Sequence, residues 1–91
     1  MTVTVRIPTV MRPATDGAAT VDLDVTTVGA CFDALLEQYP ALKGQLIDDT
    51  GALHKFVNVY RNDDDIRYLD KLDTALSDGD TLSILPAVAG G

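Results

Sequence analysis

Four groups in this 91-residue chain invite a chemical reading: the terminal pair Gly90-Gly91, the lone thiol Cys31, the lone imidazole His54 and the acidic run Asp63-Asp64-Asp65. The terminal pair offers a free carboxylate, which is anionic and resonance-stabilised and so a poor electrophile until it is activated. Adenylation with ATP would turn Gly91 into an acyl-adenylate, and sulfur could then capture it as a thiocarboxylate, or a thiol or amine as an adduct. Glycine has no Cβ, so Gly90 and Gly91 can thread a channel that excludes larger residues. Residues 87–91 fully extended reach about 17 Å, far enough to enter a partner's active site. Fixing each backbone residue costs about 1–2 kcal/mol, whereas burying Val88, the one sizeable apolar side chain there, returns about 1.5–3 kcal/mol. The expectation is therefore a flexible tail over 87–91, with Val88, Ala89 and Gly90 as the threading residues and Gly91 as the attachment point. Alone, a Gly-Gly ending is also what an ordinary frayed terminus looks like.

The other three groups favour structural roles. Cys31 falls on an apolar helical stripe, where a free cysteine behaves as a small hydrophobe. His54, at the entrance to a strand, has no partner evident in the sequence for acid–base or metal work. Asp63 to Asp65 lack the spacing of a calcium loop and read as a solvated turn. No nucleophile–base pair, phosphate loop or cluster of metal ligands is visible, so an independent enzyme, a bound metal or a bound cofactor is not expected. One cysteine excludes an internal disulfide. The net charge of −7 disfavours nucleic acid as a partner. Neither a signal peptide nor an apolar run of about 20 residues is present, and the expected location is the cytoplasm, away from membranes.

These residues need a body to hold them. Thr2 to Ile7 and Thr20 to Val25 alternate apolar and polar residues as half-buried strands do, joined through a long loop that contains the turn signal Asp16-Gly17. Val28, Cys31, Phe32, Leu35, Leu36 and Tyr39 then recur at helical spacing, with Thr26 or Thr27 as N-cap and Pro40 ending the run. A short second helical turn fits within Pro40 to Leu46. Lys55 to Arg61 reads as a strand, Asn62 to Asp65 as a turn, Ile66 to Tyr68 as a brief pairing segment and Leu69 to Leu76 as one irregular helical turn. Asp78-Gly79-Asp80 turns into a last strand, Thr81 to Leu85, which Pro86 stops. Hairpin, helix and three further strand segments suit a mixed α+β sheet of four to five strands packed on one main helix: a domain over residues 1–86 followed by the tail 87–91. If Val57 and Val59 face the helix with Leu82 and Ile84, then Phe56, Tyr60 and Leu85 face outward as a docking patch; the opposite orientation is nearly as compatible with the pattern.

Together, the segment His54 to Tyr60 with Asn62 to Arg67, the Asp78-Gly79-Asp80 turn, and Ser83 to Gly91 resemble the MoaD/ThiS family of ubiquitin-like sulfur carriers, and within it the CysO-type branch of cysteine biosynthesis. The resemblance covers essentially the whole chain. It implies a β-grasp fold with the first and last strands parallel in mid-sheet, and a Gly91 adenylated by a MoeB/ThiF-type enzyme and converted to a thiocarboxylate. It further implies a PLP-dependent cysteine synthase as sulfur acceptor and a metalloprotease that releases the product. ATP, PLP and zinc would all belong to those partners. Molybdopterin and thiamine carriers share the terminus, and a protein modifier joined to lysines through Gly91 needs the same tail, so those readings stay open on the sequence.

Overall fold

The computed structural model describes residues 2–50, 53–54 and 57–86. Strand β1 (Val3–Arg6) pairs antiparallel with β2 (Thr20–Leu23), Val5 lying opposite Val21. The connection expected as a loop is instead largely a 3-10 helix, Thr9–Thr15, despite Pro13 inside it. Two buried side chains hold it down: Met11 in the core, and Thr15, whose hydroxyl lies 3.1 Å from the carbonyls of both Arg12 and Ala18. Asp16 and Gly17 then take left-handed conformations, φ 57° and 86°, that return the chain to β2. β2 stops at Leu23 rather than Val25, because Leu23 already faces Val3, the first residue of β1.

Helix α1 (Val28–Gln38) begins where its sequence asks, the Thr27 hydroxyl accepting the Ala30 N–H at 3.1 Å. Its next residue is Gly29 for a reason of space. A Cβ there would lie 3.1 Å from the carbonyl oxygen of Leu72, so a larger residue would push the 3-10 turn Lys71–Asp73 off the helix. After Tyr39 a 3-10 turn (Pro40–Leu42) leads into the short helix α2 (Lys43–Leu46), the expected second helical turn.

Strand β3 (Val57–Arg61) turns through Asn62 and Asp63 into β4 (Asp64–Asp65), Arg61 pairing with Asp64. Asn62 sits at φ 55°, a left-handed position that asparagine tolerates. Here the expectation needs correcting: Asp64 and Asp65 form the pairing segment, while Ile66–Tyr68 is a 3-10 turn. The Asp65 carboxylate accepts the Arg67 N–H at 2.9 Å and so caps that turn, and Ile66 points into the core. β5 (Thr81–Pro86) completes the sheet, and Pro86 is its last paired residue rather than the residue beyond it.

The sheet order is β2-β1-β5-β3-β4, with β1 and β5 parallel and the other pairs antiparallel. This is the β-grasp arrangement expected from the sequence. Val3, Val5, Val57, Val59, Leu82 and Ile84 all turn to one face and bury there with Val28, Cys31, Phe32 and Leu35 of α1. Each such side chain contributes about 1.5–3 kcal/mol of burial free energy, and this layer fixes the register of the strands.

Candidate functional site

β5 is the element that presents the C-terminus, and it is secured at its start and along both edges. Its N-terminal anchor is Asp80, a carboxylate buried to 8% exposure. One oxygen accepts the Ser77 N–H at 2.7 Å and Arg61 Nε–H at 2.8 Å, and the other accepts Asn62 Nδ2 at 3.2 Å. The Ser77 amide, then the Arg61 and Asn62 side chains, hold this carboxyl below the usual aspartate range. Thr4 N–H donates to the Asp80 carbonyl, Asn62 N–H to the Thr81 carbonyl, and Thr81 N–H to Asn62 Oδ1, which joins β1 and the β3–β4 turn to the same point. Gly79, at φ 86°, makes the approach to Asp80 possible, and the Asp78 carboxylate accepts the Thr2 N–H at 2.7 Å beside it. The sequence showed this as a turn. That it is also the hub for β5 depends on Arg61 and Asn62, nearly twenty residues away, and no local pattern announces such a partnership.

At the far end, Pro86 pairs with Val57 and Leu85 with Asn58. Leu85 is 47% exposed and Tyr60 half-buried; both lie on the open face of the sheet, as diagonal neighbours across β5 and β3. The orientation left open in the sequence is thereby decided for these two residues, because Val57 and Val59 bury against the helix side. Phe56, the third member of the expected patch, lies outside the described residues, as do Val88, Ala89, Gly90 and Gly91. Between Leu85 and the ends of β1 and β2 the open face forms a groove of about 640 Å³ that includes Arg6, Arg12, Tyr60, Asn62, Asp63 and Ser83. Beside Leu85, Asn58 Oδ1 is buried without a hydrogen-bond partner among the described residues.

The remaining candidates are structural. Cys31 is fully buried, and that burial pushes its thiol up to about 12, so it stays protonated and unreactive at neutral pH. The backbone N–H of His54 donates to the Leu46 carbonyl at 2.8 Å, and its side chain lines a cleft of about 450 Å³. Leu53, Val57, Ile66 and Leu72 give that cleft an apolar wall, and none of its lining residues carries a hydroxyl or thiol nucleophile. Asp63 and Asp64 are exposed at the β3–β4 turn, and among the described residues no cluster of three or more His, Cys, Asp or Glu side chains is placed to hold a metal. No helix among them is long and apolar enough to cross a membrane.

What this geometry offers is a strand pinned at one end and delivering the chain terminus at the other, beside an open face. A model of the ThiS family matches residues 5–91. The chain belongs to that family. Among ThiS-family relatives it is 47% identical over 93 aligned positions to the sulfur carrier protein CysO of Mycobacterium tuberculosis, with both chains covered in full. It is 44% identical over 68 positions to small archaeal modifier protein 3 of Haloferax volcanii, covering 75% of this chain and 73% of that one. In the crystal structure of the Amycolatopsis orientalis BexX/CysO complex, one chain superposes with a TM-score of 0.89 at 44% identity, covering 98% of this chain and 99% of that one. These likenesses extend through the β-grasp body.

Proposed function

We propose that this protein is a sulfur carrier whose C-terminal Gly91 is activated by adenylation and then bears sulfur as a thiocarboxylate, in the service of cysteine biosynthesis. The observation that carries the proposal is the 47% identity, over the full length of both chains, to a protein named as a sulfur carrier. The carboxylate oxygen of Gly91 attacks the α-phosphorus of ATP and pyrophosphate leaves; a sulfur nucleophile then adds to the acyl carbon and AMP departs. The chain's own part is to present that carboxyl. β5 is paired with β1 as far as Ser83 and with β3 as far as Pro86, and it is anchored by Asp80, so the point from which residues 87–91 set out is fixed relative to the open face.

Catalysis belongs to partners: a MoeB/ThiF-type activating enzyme that uses ATP, a PLP-dependent cysteine synthase as acceptor, and a metalloprotease that frees the product. Val88, Ala89 and Gly90 thread into those enzymes, while Phe56, Tyr60 and Leu85 dock against them. The carrier itself is not an enzyme, holds no cofactor and works in the cytoplasm. The capture of a homologous CysO in complex with BexX fits a protein that acts by docking. A second reading, conjugation to lysines through Gly91, draws on the similarity to the archaeal modifier.

The test is deletion of Gly91, with the activating enzyme assayed by ATP–pyrophosphate exchange. The shortened chain keeps its melting temperature and loses activation altogether. Normal exchange with the shortened chain contradicts the proposal.

A further inference from the structure

Arg6 and Arg12 are unusual in this acidic chain because both line the open-face groove and neither has a carboxylate partner among the described residues. Arg61 is committed to Asp80 and Arg67 to Asp65. Arg12 donates its Nε–H to the Ile7 carbonyl at 3.2 Å, which orients the guanidinium and leaves its terminal nitrogens without a hydrogen-bond partner among the described residues. Arg6 stands exposed on the open face of β1, in register with Thr20 on one side and Ser83 on the other. The groove's one acidic residue is Asp63, which is exposed.

Two arginines line one groove in a molecule of net charge −7. The groove also includes Ile84 and Leu85, immediately before Pro86, so any enzyme that holds residues 87–91 in its active site lies over this end of the sheet. We propose that Arg6 and Arg12 receive acidic side chains of the activating enzyme and set the register in which the carrier docks. The inference rests on the reading that Gly91 is activated by another protein. Each guanidinium keeps its positive charge at any working pH, and two such charges at fixed places along one groove fix where the partner's carboxylates sit. The predominantly acidic remainder of the carrier repels the same carboxylates, so encounters oriented through the groove are favoured over others.

The experiment compares the full chain with R6Q/R12Q and with K43Q/K71Q. The second pair changes net charge equally at exposed lysines outside the groove. In ATP–pyrophosphate exchange, R6Q/R12Q raises the KM for the carrier about tenfold at about 0.05 M NaCl with kcat unchanged, and the difference from wild type shrinks towards about 0.5 M NaCl. K43Q/K71Q stays within about twofold of wild type throughout. R6K/R12K, which keeps the charge, recovers the greater part of the loss and so separates charge recognition from the Arg12–Ile7 contact. Equal KM values for R6Q/R12Q and K43Q/K71Q overturn the inference, as does a defect that salt leaves unchanged or that lysine does not restore. Failure of the wild-type chain to support any exchange overturns instead the activation reading on which it rests.

Discussion

On the side of the sheet that meets α1, Val3, Val5, Val57, Val59, Leu82 and Ile84 are apolar and buried; on the other side, Thr4, Arg6, Asn58, Tyr60, Ser83 and Leu85 alternate with them and reach solvent to different degrees. The same strands thus carry two unlike surfaces. The inner surface explains why the chain folds, since its residues find partners within the molecule. Among the described residues, parts of the outer surface lack such partners: Leu85 is exposed, Asn58 Oδ1 has no hydrogen-bond partner, and two arginines face no carboxylate. A surface left incomplete next to the exit of the C-terminus is what a docking protein needs, and a self-sufficient globule does not.

Substitutions on the two faces should therefore separate stability from activation. Leu82→Ala removes a fully buried side chain on the inner face and is expected to cost about 3–4 kcal/mol, read by urea denaturation, with exchange activity preserved in whatever fraction remains folded. A cost under about 1 kcal/mol would show that the inner layer does not hold the fold as described.

Asp80→Asn sharpens the boundary between the faces, because this carboxylate anchors the strand that serves both. Its expected cost is about 2–3 kcal/mol at neutral pH, since the amide cannot accept from all three donors. The folded carboxyl titrates below its unfolded value, so its contribution is complete above the unfolded pKa and disappears as pH falls through the lower, folded one. Wild type therefore loses stability from about pH 5 downward, and the variant loses less over the same interval. Parallel acid profiles for the two proteins would remove Asp80 from the account.

The smallest effect on folding is expected on the outer face. Tyr60→Ala with Leu85→Ala should change stability by about 1 kcal/mol or less, while raising KM for the activating enzyme about tenfold. The reverse pattern, a large loss of stability with KM unchanged, would assign these residues to the core.

The sequence made the inner face legible because burial leaves a period-two signature in Val57-Asn58-Val59 and Leu82-Ser83-Ile84, and a helical one in Val28, Cys31, Phe32 and Leu35. A threonine cap, which the sequence leaves between Thr26 and Thr27 and the structure places at Thr27, follows from local chemistry, and the parallel pairing of the first and last strands from the family resemblance. The 3-10 helix over Thr9–Thr15 was hidden, because Pro13 and the neighbouring threonines read as loop and its stability comes from tertiary burial of Met11 and Thr15. Ile66–Tyr68 departs from its local pattern for a similar reason: its β-prone residues are bent into a turn by the Asp65 cap. The Asp80 anchor is a meeting of distant positions, Arg61 and Asn62 with Asp80, which no local pattern encodes, and the groove that Arg6 and Arg12 line is closed by residues of β3 and β5 far along the chain. The candidate terminus is the opposite case. Gly90-Gly91 is plain in the sequence, whereas its role depends on what other proteins do with it.

The most direct measurement of the central claim is the intact mass of the protein after incubation with ATP, a sulfur donor and the activating enzyme, followed by fragmentation to locate the change. The account predicts a gain of about 16 Da, sulfur in place of one oxygen, confined to Gly91. An unchanged mass under conditions where the enzyme activates a known carrier, or a sulfur atom placed on Cys31, would contradict it.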